Sequence, residues 1–263
     1  MKTNTLVVVL AILLPPLIGV WLYFSGAFAN PWQLLQPLPF AWLGSSVALW
    51  LLAALLFGLR PDPRPFTAEW SAVSKLFHWA IAVAILGTTA LMYYIVNLGD
   101  LENDLELRAE YSRILQIHKS IGLAVLFLVV LRFAWNRSRR RPPMPEHMSL
   151  AAQRTAHVAH AALYLLMVLV PLAGWAASMT YGARTRFFDL FELPVWLPKN
   201  DEWAAILQPA HIYMAWGLLA LVGLHAGAAL WHHFVRRDAT LVQMLPGSRP
   251  THRSGSQAAL EPR

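Results

Sequence analysis

The residues of this chain best equipped for chemistry are histidines set in apolar sequence. Segment 210–237, AHIYMAWGLLALVGLHAGAALWHHFVRR, is apolar enough to cross a bilayer, and before its terminal arginines its only ionisable side chains are His211, His225, His232 and His233. Fourteen residues separate His211 from His225. In a helix that interval rises about 21 Å and closes almost four turns, so the two imidazoles share one face near opposite sides of a membrane. His78, in KLFHW, and His118, in LQIHKSIG, each open a further apolar span, from opposite sides. By depth the four sort into an inner pair, His78 with His225, and an outer pair, His118 with His211.

Paired imidazoles projecting from facing helices are what a six-coordinate haem b requires, with a neutral nitrogen donor on each side of the ring and apolar walls around it. Two such pairs predict two haems b, with His78, His118, His211 and His225 as the axial ligands of the iron. Gly122, Gly223, Ala226, Gly227 and Ala228 lie near them and would give a ring room. Two axial histidines leave no open iron position, which points to electron transfer and away from oxygen activation. Taken singly, an interfacial histidine can as well serve lipid headgroups or water. His225 is too deep for that, and ionisable residues inside a membrane are rarely idle.

Other chemistries fit less well. The chain has no cysteine, which excludes disulfides, iron–sulfur clusters and covalently attached c-type haem. His157 and His160 supply two nitrogens to a zinc ion that needs three or four ligands. The predicted spans contain no Asp or Glu, which disfavours a carboxylate di-iron centre or a proton relay. His157, His160, His232 and His233 gather toward one membrane face, as interfacial residues, propionate partners or a quinone headgroup site. Arg132, fourteen residues after His118, emerges near the inner pair, where it is either a propionate partner or an ordinary membrane anchor. Lys75, Lys119, Arg184 and Arg186 are weaker propionate candidates.

The elements that must position these residues are membrane helices. With 57% hydrophobic and 13% charged residues, the 263-residue chain reads as an all-α integral membrane protein. Six apolar spans are expected, at 6–24, 40–59, 76–96, 117–135, 157–179 and 210–234. The linkers between spans two and three and between spans four and five are basic, as is the C-terminal tail. The linker between spans three and four instead carries Asp100, Glu102, Asp104, Glu106 and Glu110 against Arg108 and Arg113. The positive-inside rule then puts both termini of a multi-pass membrane protein in the cytoplasm. The net charge of +7 is thus topological, and no nucleic-acid partner is implied.

The first span has a second reading as a signal peptide, with Ala27-Phe28-Ala29 as cleavage site. Its length and Pro15-Pro16 favour an uncleaved helix. The connector Arg60-Pro-Asp-Pro-Arg-Pro65 disfavours continued helix, so residues 1–65 are expected to form a separate transmembrane hairpin. A four-helix di-haem bundle over 66–247 and a disordered cytoplasmic tail over 248–263 complete the expected domains.

The segments KLFHW, IHKSIGLAVLFLVVLRFAWNR, AHVAHAALYLLMVLVPLAGW and GLHAGAALWHHFVRRDATLVQMLPG resemble, in order and spacing, the bacterial cytochrome b561 family. These are four-helix, di-haem inner-membrane proteins that include a superoxide:ubiquinone oxidoreductase. The resemblance implies His78 and His225 on a cytoplasmic haem and His118 and His211 on a periplasmic one, with electron transfer linked to ubiquinone. The periplasmic donor or acceptor would be a redox partner or superoxide. Two features depart from the family. The first hairpin has no counterpart in its short members and could dock a dehydrogenase or hydrogenase partner. The acidic outer linker would repel superoxide, whereas superoxide-oxidising relatives present basic residues there.

Overall fold

The computed structural model of the chain describes residues 70–97, 104–138, 142 and 148–247. Four helices dominate: α1 (Ala72–Val96), α2 (Leu105–Ser138), α3 (Leu150–Thr180) and α4 (Asp201–Trp231). All four are long and apolar enough to cross a membrane. They correspond to the last four expected spans. The first two, the Pro-rich connector and the tail 248–263 lie outside the described residues.

Each helix starts before its apolar run, because a polar cap, and not hydrophobicity, sets the first turn. Ser71 Oγ accepts from the Ser74 N–H at 3.2 Å, Ser149 Oγ from Ala152 at 3.3 Å, and Asn200 Oδ1 from Trp203 at 2.9 Å. At α2, Asp104 Oδ1 accepts from Glu106 and Leu107 at 2.8 and 3.0 Å. The result moves His118 from the expected helix start to the middle of a helix that begins at Leu105. Acidic residues of the linker, Glu106 and Glu110, therefore stand on α2 itself.

Helix α1 packs on α2, α2 on α3, and α3 on α4. Ile81 and Ile85 of α1, Val125 and Val129 of α2, Leu163 and Met167 of α3, and Leu218 of α4 form a buried apolar cluster. Leu218 is midway between His211 and His225, so this cluster is a dry layer between the two histidine levels. At the His78 end, Ser74 Oγ donates to Asn136 Oδ1 at 2.7 Å and Trp135 Nε1 donates to Ser71 Oγ at 3.0 Å. Those bonds tie α1 to α2 where apolar packing thins.

Between α3 and α4 the chain forms a short antiparallel hairpin, β1 (Arg186–Phe187) with β2 (Phe191–Glu192), which the apolar pattern did not suggest. Its turn places Phe188 and Asp189 at φ 47° and 57°, the two positive-φ positions of a primed turn. The hairpin is fastened to α2 beside His118. Buried Ser120 accepts from the Phe188 N–H at 2.9 Å, and the Gln116 amide donates to the Arg184 carbonyl at 3.0 Å.

After α4 a π-helical turn, His232–Arg236, leads into a C-terminal strap reaching Gly247. The strap is held by Asp238, whose carboxylate meets His232 Nδ1 at 2.5 Å and accepts from the Thr240 N–H at 2.9 Å. Trp79, next to His78, donates from Nε1 to the Met244 carbonyl at 2.9 Å, so the strap is latched onto α1. Burial pushes the Asp238 carboxyl up, but the hydrogen bonds from His232 and Thr240 outweigh it and hold the group below its ordinary value. A depressed carboxylate contributes stability that is complete above the unfolded value of 3.8 and is lost as pH falls through the lower native one. Asp238→Asn is expected to cost about 2 kcal/mol near neutral pH, since it weakens charge-assisted bonds to a buried group. Thermal unfolding of both proteins across pH checks this: the gap in Tm should be constant above about pH 5 and shrink below about pH 4.

Candidate haem site

The structure brings the four sequence-predicted histidines together in the expected couples. The rings of His118 and His211 are 6.2 Å apart between centroids, and those of His78 and His225 are 6.1 Å apart. Two metal–nitrogen bonds of about 2 Å, plus roughly 1.2 Å from each nitrogen to its ring centre, place two axial imidazoles about 6.4 Å apart. Both couples therefore stand at a separation that suits an iron between them. Each also bridges α4 to a helix other than its main packing neighbour, α3.

Orientation at the hairpin level is fixed by hydrogen bonds on the far side of each ring. His211 Nδ1–H donates to the Val170 carbonyl at 2.9 Å. His118 Nδ1 has Thr88 Oγ1 at 2.7 Å and the Thr88 carbonyl at 3.3 Å. A carbonyl can only accept, so both protons belong on Nδ1 and Nε2 is left as the donor to a metal. At the strap level, His78 Nδ1 is buried and has no hydrogen-bond partner among the described residues.

Room for the rings comes from one glycine that spacing did not single out. A Cβ at Gly174 would stand 2.8 Å from His211 Cε1 and 2.9 Å from Nδ1. Of the small residues expected to make space, Gly122 faces Pro171, while a Cβ at Gly223 would meet nothing within 4 Å among the described residues beyond its chain neighbours and its own helix backbone.

The remaining candidates divide. His160 joins the strap level, its ring 5.3 Å from that of His225, with Nδ1–H donating to the Ala156 carbonyl at 2.7 Å. His157 makes the same local bond to Gln153 from an exposed position. His232 is engaged by Asp238, and His233 lies edge-on to Phe234. Arg132 sits 5.8 Å over the Tyr164 ring, with Nε buried and unpaired among the described residues. An orphaned guanidinium N–H beside two facing imidazoles suits a propionate. Arg184 and Arg186 are instead paired with hairpin carboxylates, Glu192 at 2.7 Å and Asp189 at 3.2 Å. Lys119 adjoins His118 on α2, and Lys75 is buried in the first turn of α1.

The family model for prokaryotic cytochrome b561 matches residues 69–247, which hold all four helices and every histidine named above. The chain belongs to that family. As a cytochrome b561 it is a membrane haem protein of electron transport. It is 29% identical over 178 residues to cytochrome b561 homolog 2 of Escherichia coli K12, covering 67% of this chain and 91% of that one. It is 35% identical over 133 residues to a probable superoxide oxidase, CybB, of Yersinia pestis, covering 51% and 75% respectively. A third relative, cytochrome b562 of Cereibacter sphaeroides, is 29% identical over 129 residues, or 49% of this chain and 66% of its own.

Proposed function

We propose that this cytochrome b561 binds two haems b, one between His118 and His211 and one between His78 and His225, and carries single electrons between a partner at the hairpin end and a quinone at the strap end. The observation that carries the reading is the repetition, at two levels of α4, of the same ring separation, 6.2 and 6.1 Å. Haem supplies the one-electron couple; the chain supplies the ligands, the dry layer around Leu218 between them and the entry points at each end. The basic and acidic linkers support an orientation with the hairpin end in the periplasm and the strap end toward the cytoplasm.

At the strap end, His160 beside His225 and His232 on the same face of α4 two turns further on would receive a quinone headgroup. Arg132 would meet the propionates of the nearer haem. A second reading draws on the resemblance to CybB of Yersinia pestis: two superoxide anions become two O2, and their two electrons with two protons convert ubiquinone to ubiquinol. Glu106 and Glu110 on α2 oppose the approach of an anion at that end.

Stopped-flow reduction of the purified holoprotein separates the two. Under the electron-carrier reading, ubiquinol reduces both haems and added superoxide reduces them no faster than its spontaneous dismutation permits. Saturable haem reduction by superoxide, with ubiquinol accumulating, establishes the oxidase. Failure of ubiquinol, ubiquinone and superoxide to change the haem spectrum overturns both.

A further inference from the structure

Resting on the di-haem reading, the hydrogen-bond surroundings of the two couples differ in a way that sets a direction for electrons. We infer that the haem between His118 and His211 has the lower reduction potential, so that the fold itself drives electrons from the hairpin level to the strap level.

Both hairpin-level imidazoles have an oxygen acceptor on Nδ1–H: Thr88 for His118 at 2.7 Å and the Val170 carbonyl for His211 at 2.9 Å. An accepted Nδ1–H makes the imidazole a stronger donor through Nε2, which stabilises ferric over ferrous iron and lowers the potential. At the strap level His78 Nδ1 is buried with no such acceptor among the described residues, so that ligand is the weaker donor. Nearby cations do not reverse the order. Arg132 lies within electrostatic reach of His78 and His225, and Lys119 of His118. Lys75, buried one turn before His78, adds a second cation at the strap level, and the extra positive charge raises the potential there, in the same direction as the Nδ1 bonds.

Thr88 is thereby a positioning residue. It holds the His118 ring through Nδ1, on the side away from the site of iron. Neither Thr88 nor the Val170 carbonyl touches the couple at the other level, so removing either should act on one haem alone.

The test is an anaerobic optical redox titration of the holoprotein alongside a count of haem per chain. Two one-electron components are expected, separated by about tenfold in equilibrium constant, or about 59 mV. The lower component should be the one that survives in His225→Ala. Thr88→Val removes the nearer of the two oxygens on His118 Nδ1, the hydroxyl at 2.7 Å, and leaves the Thr88 carbonyl at 3.3 Å, so it should raise the lower component by a fraction of the gap while leaving the upper one in place. Thr88→Ser keeps the hydroxyl and should leave both components unmoved. Two haems of equal potential, or survival of the higher component in His225→Ala, overturn the inference and spare the di-haem reading. So does a Thr88→Val titration in which neither component or only the upper one moves. A count below two in the unmodified protein overturns both.

Discussion

Replacing His225 by alanine is expected to halve the haem content of the purified protein, from two to about one per chain, and His118→Ala to do the same at the other level. Each haem would hang on two iron–nitrogen bonds from helices that are not each other's main packing neighbours. Loss of one imidazole would take away one of the two nitrogens that would hold the group and leave a gap of an imidazole's volume in the wall beside it. The two levels are separated by the apolar layer around Leu218, so damage at one should not spread to the other. His225→Ala is the more demanding case, because the ring of His160 lies 5.3 Å from the one removed and could reach toward the gap. His78→Ala serves as its companion, since His78 has no second histidine placed against it other than His225 among the described ring contacts. A pyridine-haemochrome measurement on each variant gives the count. Two haems retained in both His118→Ala and His78→Ala would show that the iron is held elsewhere.

The couples were legible in the sequence because a membrane restricts the alternatives. Helices are forced, depth follows from counting residues, and an imidazole in the middle of an apolar run demands a partner. His211 and His225 could thus be placed one above the other from their spacing alone, and Arg132 could be brought to the strap level in the same way. The surroundings of the couples were not legible. Thr88 reads as an unremarkable small polar residue in a span, and only the packing of α1 on α2 sets its hydroxyl 2.7 Å from His118. The clamp of Gln116 and Ser120 on the β-hairpin joins residues 66 to 70 positions apart, beyond any local pattern. Helix starts were misplaced for a related reason: hydropathy marks where lipid begins, whereas Asp104 and Asn200 mark where hydrogen bonding begins. Asp238 lies past the last apolar run, in a segment that carries the family resemblance but offers no local sign of a role, and its contact with His232 depends on the strap folding back.

Gly174→Ala is expected to remove the hairpin-level haem while leaving the fold almost untouched. The His211 ring rests on a saddle of α3, with the Val170 carbonyl on one side and Gly174 one turn further on. Alanine there would put its methyl 2.8 Å from Cε1 and 2.9 Å from Nδ1. The ring must move, and a ligand displaced by more than about 0.5 Å no longer meets a metal productively. The same methyl raises helix propensity by about 1 kcal/mol, against an overpacking cost of about 1–3 kcal/mol, so the net change in the stability of the apoprotein should be small. Loss of binding with little loss of fold separates this variant from a general packing defect. It should hold about one haem per chain, with the spectrum and potential of the haem that remains in His118→Ala. Gly217→Ala on α4 is the control, because a Cβ there would meet nothing within 4 Å among the described residues beyond its chain neighbours and its own helix backbone, and both haems should stay. If Gly174→Ala keeps two haems at unchanged potentials, the His211 ring does not occupy that saddle in the holoprotein, and its assignment as a ligand fails with it.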